Sequence, residues 1–319
     1  MRVRIAVVGC GKFGQQHLRV LRELDGVELA GILDQNDEAA QLASERFGVR
    51  PLRSLDELAR SADAAVVATP TSTHGEVGSL LLARGLDVLI EKPIAHTLEA
   101  AQALVETARR QGRILQVGHL ERFNPVVQAL QSMVRLPLFF EIHRMSPFTA
   151  RSLDVDVVLD LMIHDLDIVL ALTGERPAEI RAAGLPIMTD KLDIANVRLM
   201  FPSGCVANLT ASRVSTERIR KLRMFQPHEY VSIDYQRQQG VAFSVNAQRE
   251  VRMRPLEAAP AEPLRLELEA FVECVRTRAR PLVDGEDAVR ALECALAILA
   301  TIEEHLRVVS QTVARRSAT

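Results

Sequence analysis

The chain has 319 residues, a formal net charge of −2, 48% apolar residues and 25% charged ones. That length suits two domains of ordinary size, and that balance belongs to a globular chain rather than a disordered one. Near-neutral charge argues against nucleic acid as the main partner. No apolar run reaches the roughly 18–20 residues that span a bilayer, and the N-terminal apolar stretch is too short for a secretory signal. The expectation is a cytoplasmic protein with no membrane and no nucleic-acid partner.

Up to residue 118 two periods alternate. Short apolar runs at 4–9, 27–34, 62–69, 86–92 and 113–118 read as strands buried on both faces. Helical stretches at 13–24, 37–47, 55–60, 74–84 and 97–111 separate them. Strand–helix alternation with short links predicts an α/β fold that begins with a Rossmann-type, doubly wound parallel sheet.

"VVGCGKFG" sets Gly9, Gly11 and Gly14 as GxGxxG between the first strand and the first helix, with Lys12 and Phe13 inside the motif. In this setting the glycines allow a tight turn, close approach of a pyrophosphate, and close helix–strand packing, with the phosphates at the helix N-terminus. Asp34 ends the second strand, where a carboxylate can hold ribose hydroxyls and repel a 2′-phosphate, so NAD is the expected cofactor and NADP is not. Thr69, Pro70 and His74 in "ATPTSTH" follow the third strand, at the sheet edge where a cofactor is met. A plain turn with a helix cap accounts for them equally well. "VLIEKP" places Glu91 and Lys92 at the end of the next strand, and Pro93 keeps Lys92 out of helical geometry. An ammonium fixed there can reach the cleft; taken alone, a surface lysine in a strand-ending turn also fits.

After about residue 120 the rhythm changes. A helix at 124–134 opens with Pro125, then come a strand at 138–145 and an apolar helix at 155–173 stopped by Gly174. Strand-like runs at 178–186, 192–201, 205–213, 219–225, 230–235 and 241–246 predict an open, largely antiparallel or mixed sheet. A turn-rich link at 255–263 and two helices, 264–278 and 286–307, complete the chain. The four cysteines (Cys10, Cys205, Cys274, Cys294) are scattered and read as buried reduced thiols.

The apolar helix carries Asp160, His164, Asp165 and Asp167. At about 100° per residue, His164 and Asp167 fall within about 40° of Asp160, whereas Asp165 lies about 140° away. The stripe suits an imidazole that moves a proton beside an orienting carboxylate. A solvated stripe and a metal pair at i, i+4 also fit the spacing, although no third or fourth metal ligand presents itself.

The GxGxxG start, "EKP", "GHLERFNP" (118–125) and Asp160-x3-His164 occur in an order and at spacings that resemble the Gfo/Idh/MocA family of NAD(P)-dependent sugar and polyol dehydrogenases, over essentially the whole chain. The resemblance implies a Rossmann domain over 1–120 and a substrate-binding and oligomerisation α/β domain over 121–319. It implies Lys92, Asp160 and His164 as the active-site trio, a cis peptide at Lys92–Pro93, and a homodimer or homotetramer. "HRMSPFTARSLDVDVVLD" (143–160) resembles one subgroup, the UDP-N-acetylglucosamine 3-dehydrogenases. These make a 3-keto sugar that a PLP aminotransferase can aminate on a route to 3-amino sugars of lipid A. A nucleotide-sugar needs a pyrophosphate anchor, for which Arg122, Asn124, Arg144 and Arg151 are the candidates beside Lys92 and His164, with ordinary salt bridging the alternative for each arginine. Two other readings stay open: a dehydrogenase of a free sugar or polyol such as inositol, and a nucleotide-sensing regulator without chemistry.

Overall fold

The computed structural model describes residues 2–149 and 155–317. The chain divides into two compact units, 1–123 with 261–289 and 124–260 with 290–319.

The first unit opens with ten elements: β1 (Val3–Val8), α1 (Lys12–Glu23), β2 (Val27–Leu33), α2 (Asp37–Phe47), α3 (Leu55–Ser61), β3 (Ala64–Val67), α4 (Thr71–Ala83), β4 (Asp87–Glu91), α5 (Leu98–Gln111) and β5 (Leu115–Gly118). The strands form one parallel sheet in the order β2-β1-β3-β4-β5. Every residue of β3 and β4 is buried, which is why these strands read as unbroken apolar runs. The helix starts were written locally. Asn36 accepts from the backbone N–H groups of Glu38 and Ala39, Ser54 from that of Glu57, and Thr97 from that of Ala100. The strand order reverses direction at β1, so a crevice forms at the carboxyl ends of β1 and β3.

The second unit begins with α6 (Pro125–Gln131) and β6 (Phe139–Met145). A π-helical turn (Val158–Met162) leads into α7 (Ile163–Thr173), and seven strands follow: β7 (Glu179–Leu185), β8 (Ile194–Met200), β9 (Val206–Ser212), β10 (Ile219–Gln226), β11 (Glu229–Asp234), β12 (Gln239–Val245) and β13 (Val251–Pro255). With β6 they make an eight-stranded sheet ordered β13-β12-β11-β10-β6-β9-β8-β7, antiparallel except where β6 pairs with β9. One face carries Phe140, Ile142, Val197, Leu199, Leu209 and Leu222 into a core shared with Ile163, Leu166 and Val169 of α7. The other face is mixed, with Arg198 and Lys221 exposed on it beside the partly exposed rings of Phe139, Phe225, Tyr230 and Phe243.

Two helices close the chain, α8 (Pro263–Thr277) and α9 (Gly285–Ser317). Here the structure departs from a division at 120/121. Leu264, Leu268, Phe271 and Val272 of α8 join the core of the first unit with Ile5, Leu18, Leu21 and Leu89. The backbone N–H of Val117 also donates to the Val283 carbonyl. Both α8 and the first residues of α9 therefore belong with the Rossmann sheet. The strand β13 was not expected; all five of its residues are exposed, so it lacks the alternation that marks a strand. Among the described residues no helix is long and apolar enough to cross a membrane, and all four cysteines are buried and free.

Candidate active site

In the first unit, the glycine loop joins β1 to α1. Gly9 has φ +96°, and a Cβ there would lie 2.6 Å from the Ala68 carbonyl oxygen, so only glycine fits. A Cβ on Gly14 would lie 1.9 Å from the Gly9 carbonyl oxygen, because α1 sits directly on the loop. Around Gly11 nothing lies within 4 Å of the corresponding position. That open approach, at the N-terminus of a twelve-residue helix, fits a dinucleotide pyrophosphate. Lys12 and Phe13 are exposed at the same helix start, and the Phe13 ring meets His17 edge-on at 5.6 Å. Asp34 follows β2; its carboxylate accepts from the backbone N–H of Cys10 at 2.6 Å and of Asn36 at 2.9 Å. Two donors leave a carboxylate with further acceptor sites, enough to hold ribose hydroxyls. Burial and the nearby Asp34 push the Cys10 thiol up to about 12, so it stays protonated beside the loop.

The loops after β3 and β4 meet at the same edge of the sheet. Thr69 and Pro70 follow β3, and the Thr73 hydroxyl donates to Thr69 Oγ1 at 2.8 Å. His74 is buried, with Nδ1 2.8 Å from the Pro93 carbonyl and Nε2 2.8 Å from the Thr69 carbonyl. It ties the two loops together. Lys92–Pro93 is a cis peptide, as the resemblance implied. Lys92 is half-buried at the end of β4. The Glu91 side chain points inward, where Oε1 meets His17 Nε2 at 2.7 Å. His119, just after β5, is wholly buried. Burial, with the Lys92 and Arg122 cations nearby, holds its imidazole down at about 3, so it stays neutral. A cavity of about 1040 Å³, lined in part by Arg2, Asp63, Asp87 and Arg113, lies at the amino ends of the strands, away from these loops.

In the second unit, Asp160 lies within the π-helical turn, and His164 opens the first turn of α7. The backbone N–H of Ile163 reaches back to the Val158 carbonyl, the i→i+5 bond of a π turn. Each residue of such a turn rotates less than 100°, so four residues come closer to one full turn than in an α-helix. Both side chains are half-buried. Asp167 is buried in α7, so of the polar stripe Asp160 and His164 are the members that stay partly exposed.

The arginines expected to anchor a pyrophosphate take other places. Arg144 is 3% exposed and grips Asp165 with two parallel hydrogen bonds of 2.7 and 2.8 Å. Its guanidinium also lies 5.1 Å from the centre of the Tyr235 ring. A buried arginine already paired to a carboxylate cannot serve as a phosphate anchor, and Asp165 acquires a structural role. Arg122 is buried and donates to the Leu282 carbonyl within the first unit. Asn124 caps α6, accepting from the Val126 N–H and donating to the Tyr235 carbonyl, so both ends of its amide serve the fold. Arg151 lies outside the described residues. Among the described residues no group of three or more His, Cys, Asp or Glu side chains could hold a metal.

Residues 3–119 match the oxidoreductase family with an NAD-binding Rossmann fold, and residues 128–225 match the GFO/IDH/MocA C-terminal domain. A UDP-N-acetylglucosamine 3-dehydrogenase from Acidithiobacillus ferrooxidans is 35% identical across 96% of this chain and 99% of its own length. A solved structure of that organism's UDP-N-acetylglucosamine 3-dehydrogenase matches with a TM-score of 0.90, covering 95% of this chain and 99% of the other. A scyllo-inositol 2-dehydrogenase (NAD⁺) from Bacillus subtilis is 27% identical over 93% of both chains.

Proposed function

The chain belongs to the Gfo/Idh/MocA family of oxidoreductases and is an NAD-dependent sugar dehydrogenase; from that premise we propose that it oxidises the C3 hydroxyl of UDP-N-acetylglucosamine to the 3-keto sugar. The observation that carries the substrate assignment is the 35% identity, over nearly the whole length of both chains, to a dehydrogenase of that nucleotide-sugar. The inositol dehydrogenase is less similar, at 27%. Amination of the keto product by a PLP enzyme, on a route to 3-amino sugars of lipid A, is the pathway context of this reading.

Oxidation of a secondary alcohol removes a hydride from carbon and a proton from oxygen. NAD supplies the hydride acceptor when bound, and Gly9, Gly11, Gly14 and Asp34 are the residues placed to hold it. Lys92 is the cation that hydrogen-bonds the reacting oxygen and stabilises the charge developing there. His164 takes the hydroxyl proton, and Asp160 orients the imidazole and favours its cation. Homo-oligomerisation through the open sheet is part of the same proposal. It is supported by a row of partly exposed rings on that sheet, Phe139, Phe225, Tyr230 and Phe243, with successive centroids 5.6, 4.8 and 5.7 Å apart. Sedimentation velocity of the full chain gives the assembly directly, and a monomer would refute this part.

The substrate test is direct. UDP-N-acetylglucosamine and NAD are mixed with enzyme, and NADH absorbance is followed with a PLP aminotransferase and an amino donor present to remove the keto product. The expected result is turnover of this substrate well above that of free hexoses or inositols. Turnover of free inositols with none of the nucleotide-sugar would overturn the assignment.

A further inference from the structure

Behind the loop that carries Lys92, the first unit buries a set of polar side chains. Glu91 of β4 is bound to His17 of α1 at 2.7 Å. Gln116 of β5 donates to the backbone carbonyl of Glu267 at 3.1 Å. Glu267 of α8 is 0% exposed, and neither of its carboxyl oxygens has a hydrogen-bond partner among the described residues. The Gln116 carbonyl oxygen is buried and likewise without a donor.

A carboxylate in this position would face no cation and no N–H group, with the Glu91 carboxyl close enough to repel it. Burial penalises the charged form, and a neighbouring acid penalises it further. The elements packed most closely on α8 are α1, β1 and the turn at 120–123, and β5 touches it through Gln116. From α1 comes His17, already engaged by Glu91, while Arg19 and Glu23 are in exposed ion pairs with Glu262 and Arg265. Arg4 of β1 is bound to Asp63 at 2.6 Å. The turn brings Glu121 and Arg122, and His119 precedes it. His119 feels Lys92, Arg122, Glu91 and Asp287 together, so the charge on Glu91 and the charge on Lys92 act in one buried neighbourhood.

We propose that Glu267 stands as a neutral carboxylic acid beside the Glu91–His17 pair, and that through Glu91, the residue preceding Lys92, it is a positioning residue for the dehydrogenase. The assignment rests on the dehydrogenase reading for its kinetic consequence only; the protonation state is measured without turnover.

Three measurements test it. The first is the infrared carboxylic-acid C=O stretch of the full chain at pH 7. A buried-acid band is expected in the wild type and lost in Glu267→Gln, and Glu91→Gln should move its titration to lower pH. The second is thermal unfolding against pH. Glu267 is raised well above its ordinary value of 4.5. Its protonated form therefore contributes stability that is full below that value and is lost as pH rises towards the folded-state value. The Tm of Glu267→Gln relative to wild type should therefore climb with pH from about 4.5 upward. The third is the kcat profile with UDP-N-acetylglucosamine and NAD, where an alkaline ionisation in the wild type should be missing from Glu267→Gln. Absence of the infrared band in the wild type at pH 7 overturns the proposal, even if the variant does not fold. A pH-independent Tm difference, or identical kcat profiles, overturns it as well. Failure of the wild type to turn over UDP-N-acetylglucosamine would count against the substrate assignment and leave the infrared and thermal results to decide this one.

Discussion

Lys92 and His164 are half-buried, polar and placed at element ends, where a side chain can be both held and reached. If Lys92 polarises the hydroxyl and His164 takes its proton, Lys92→Ala and His164→Ala should each lower kcat by about 10²–10⁴. NAD affinity, measured by fluorescence titration with NADH, should stay within a few fold of wild type. Turnover surviving in both variants would refute these roles. Arg144 gives the opposite signature. Removing it strands Asp165 as an unpaired buried charge, so Arg144→Ala should cost about 3–5 kcal/mol in urea unfolding. A raised KM for the nucleotide-sugar at unchanged stability would restore Arg144 as a substrate anchor. The pair was partly legible. Asp165 lies about 140° from the polar stripe, on an apolar face, and a carboxylate there demands a buried cation. Arg144 shares strand parity with Phe140 and Ile142, so it points into the same core. What periodicity lacks is the partner: neither pattern says which buried cation answers which buried acid.

Elements with a strong local pattern were readable, and those set by tertiary forces were not. The five parallel strands, α2 over 37–47 and the capped start at Thr97 follow from short-range chemistry. The π turn does not, because Val158–Met162 reads as ordinary helix by its apolar pattern. The fully exposed β13 leaves no periodic trace. In the glycine loop, sequence spacing and geometry make a paired prediction. Gly14→Ala forces a Cβ against the Gly9 carbonyl and should lower both Tm and NAD binding, whereas Gly11→Ala meets no protein atom and should keep the wild-type Tm while weakening NAD. Calorimetric melting and NADH fluorescence on the same two proteins separate these effects. Equal destabilisation by both substitutions would contradict the geometry.

At the scale of the whole chain, the sequence order of the elements conceals which core they serve. Residues 264–277 announce an amphipathic helix, yet periodicity is silent on whether that helix covers the nearby antiparallel sheet or a parallel sheet that began more than two hundred residues earlier. The core assigns it to the latter, through Leu264, Leu268, Phe271 and Val272. Full burial of an apolar side chain of this size is worth about 1.5–3 kcal/mol, so four contribute about 6–12 kcal/mol. That is comparable to the roughly 5–15 kcal/mol by which a whole domain is stable. A fragment ending at residue 123 should therefore show no cooperative thermal transition by circular dichroism and no NAD binding, although it holds the complete glycine motif and all five strands. Joining residues 261–289 to it through a flexible linker should restore both. In the intact chain Phe271→Ala, deep in the same core, should cost about 3–5 kcal/mol. A sigmoidal melt with NAD binding from residues 1–123 alone would show that the Rossmann unit is complete where its last strand ends, and that α8 only rests on it.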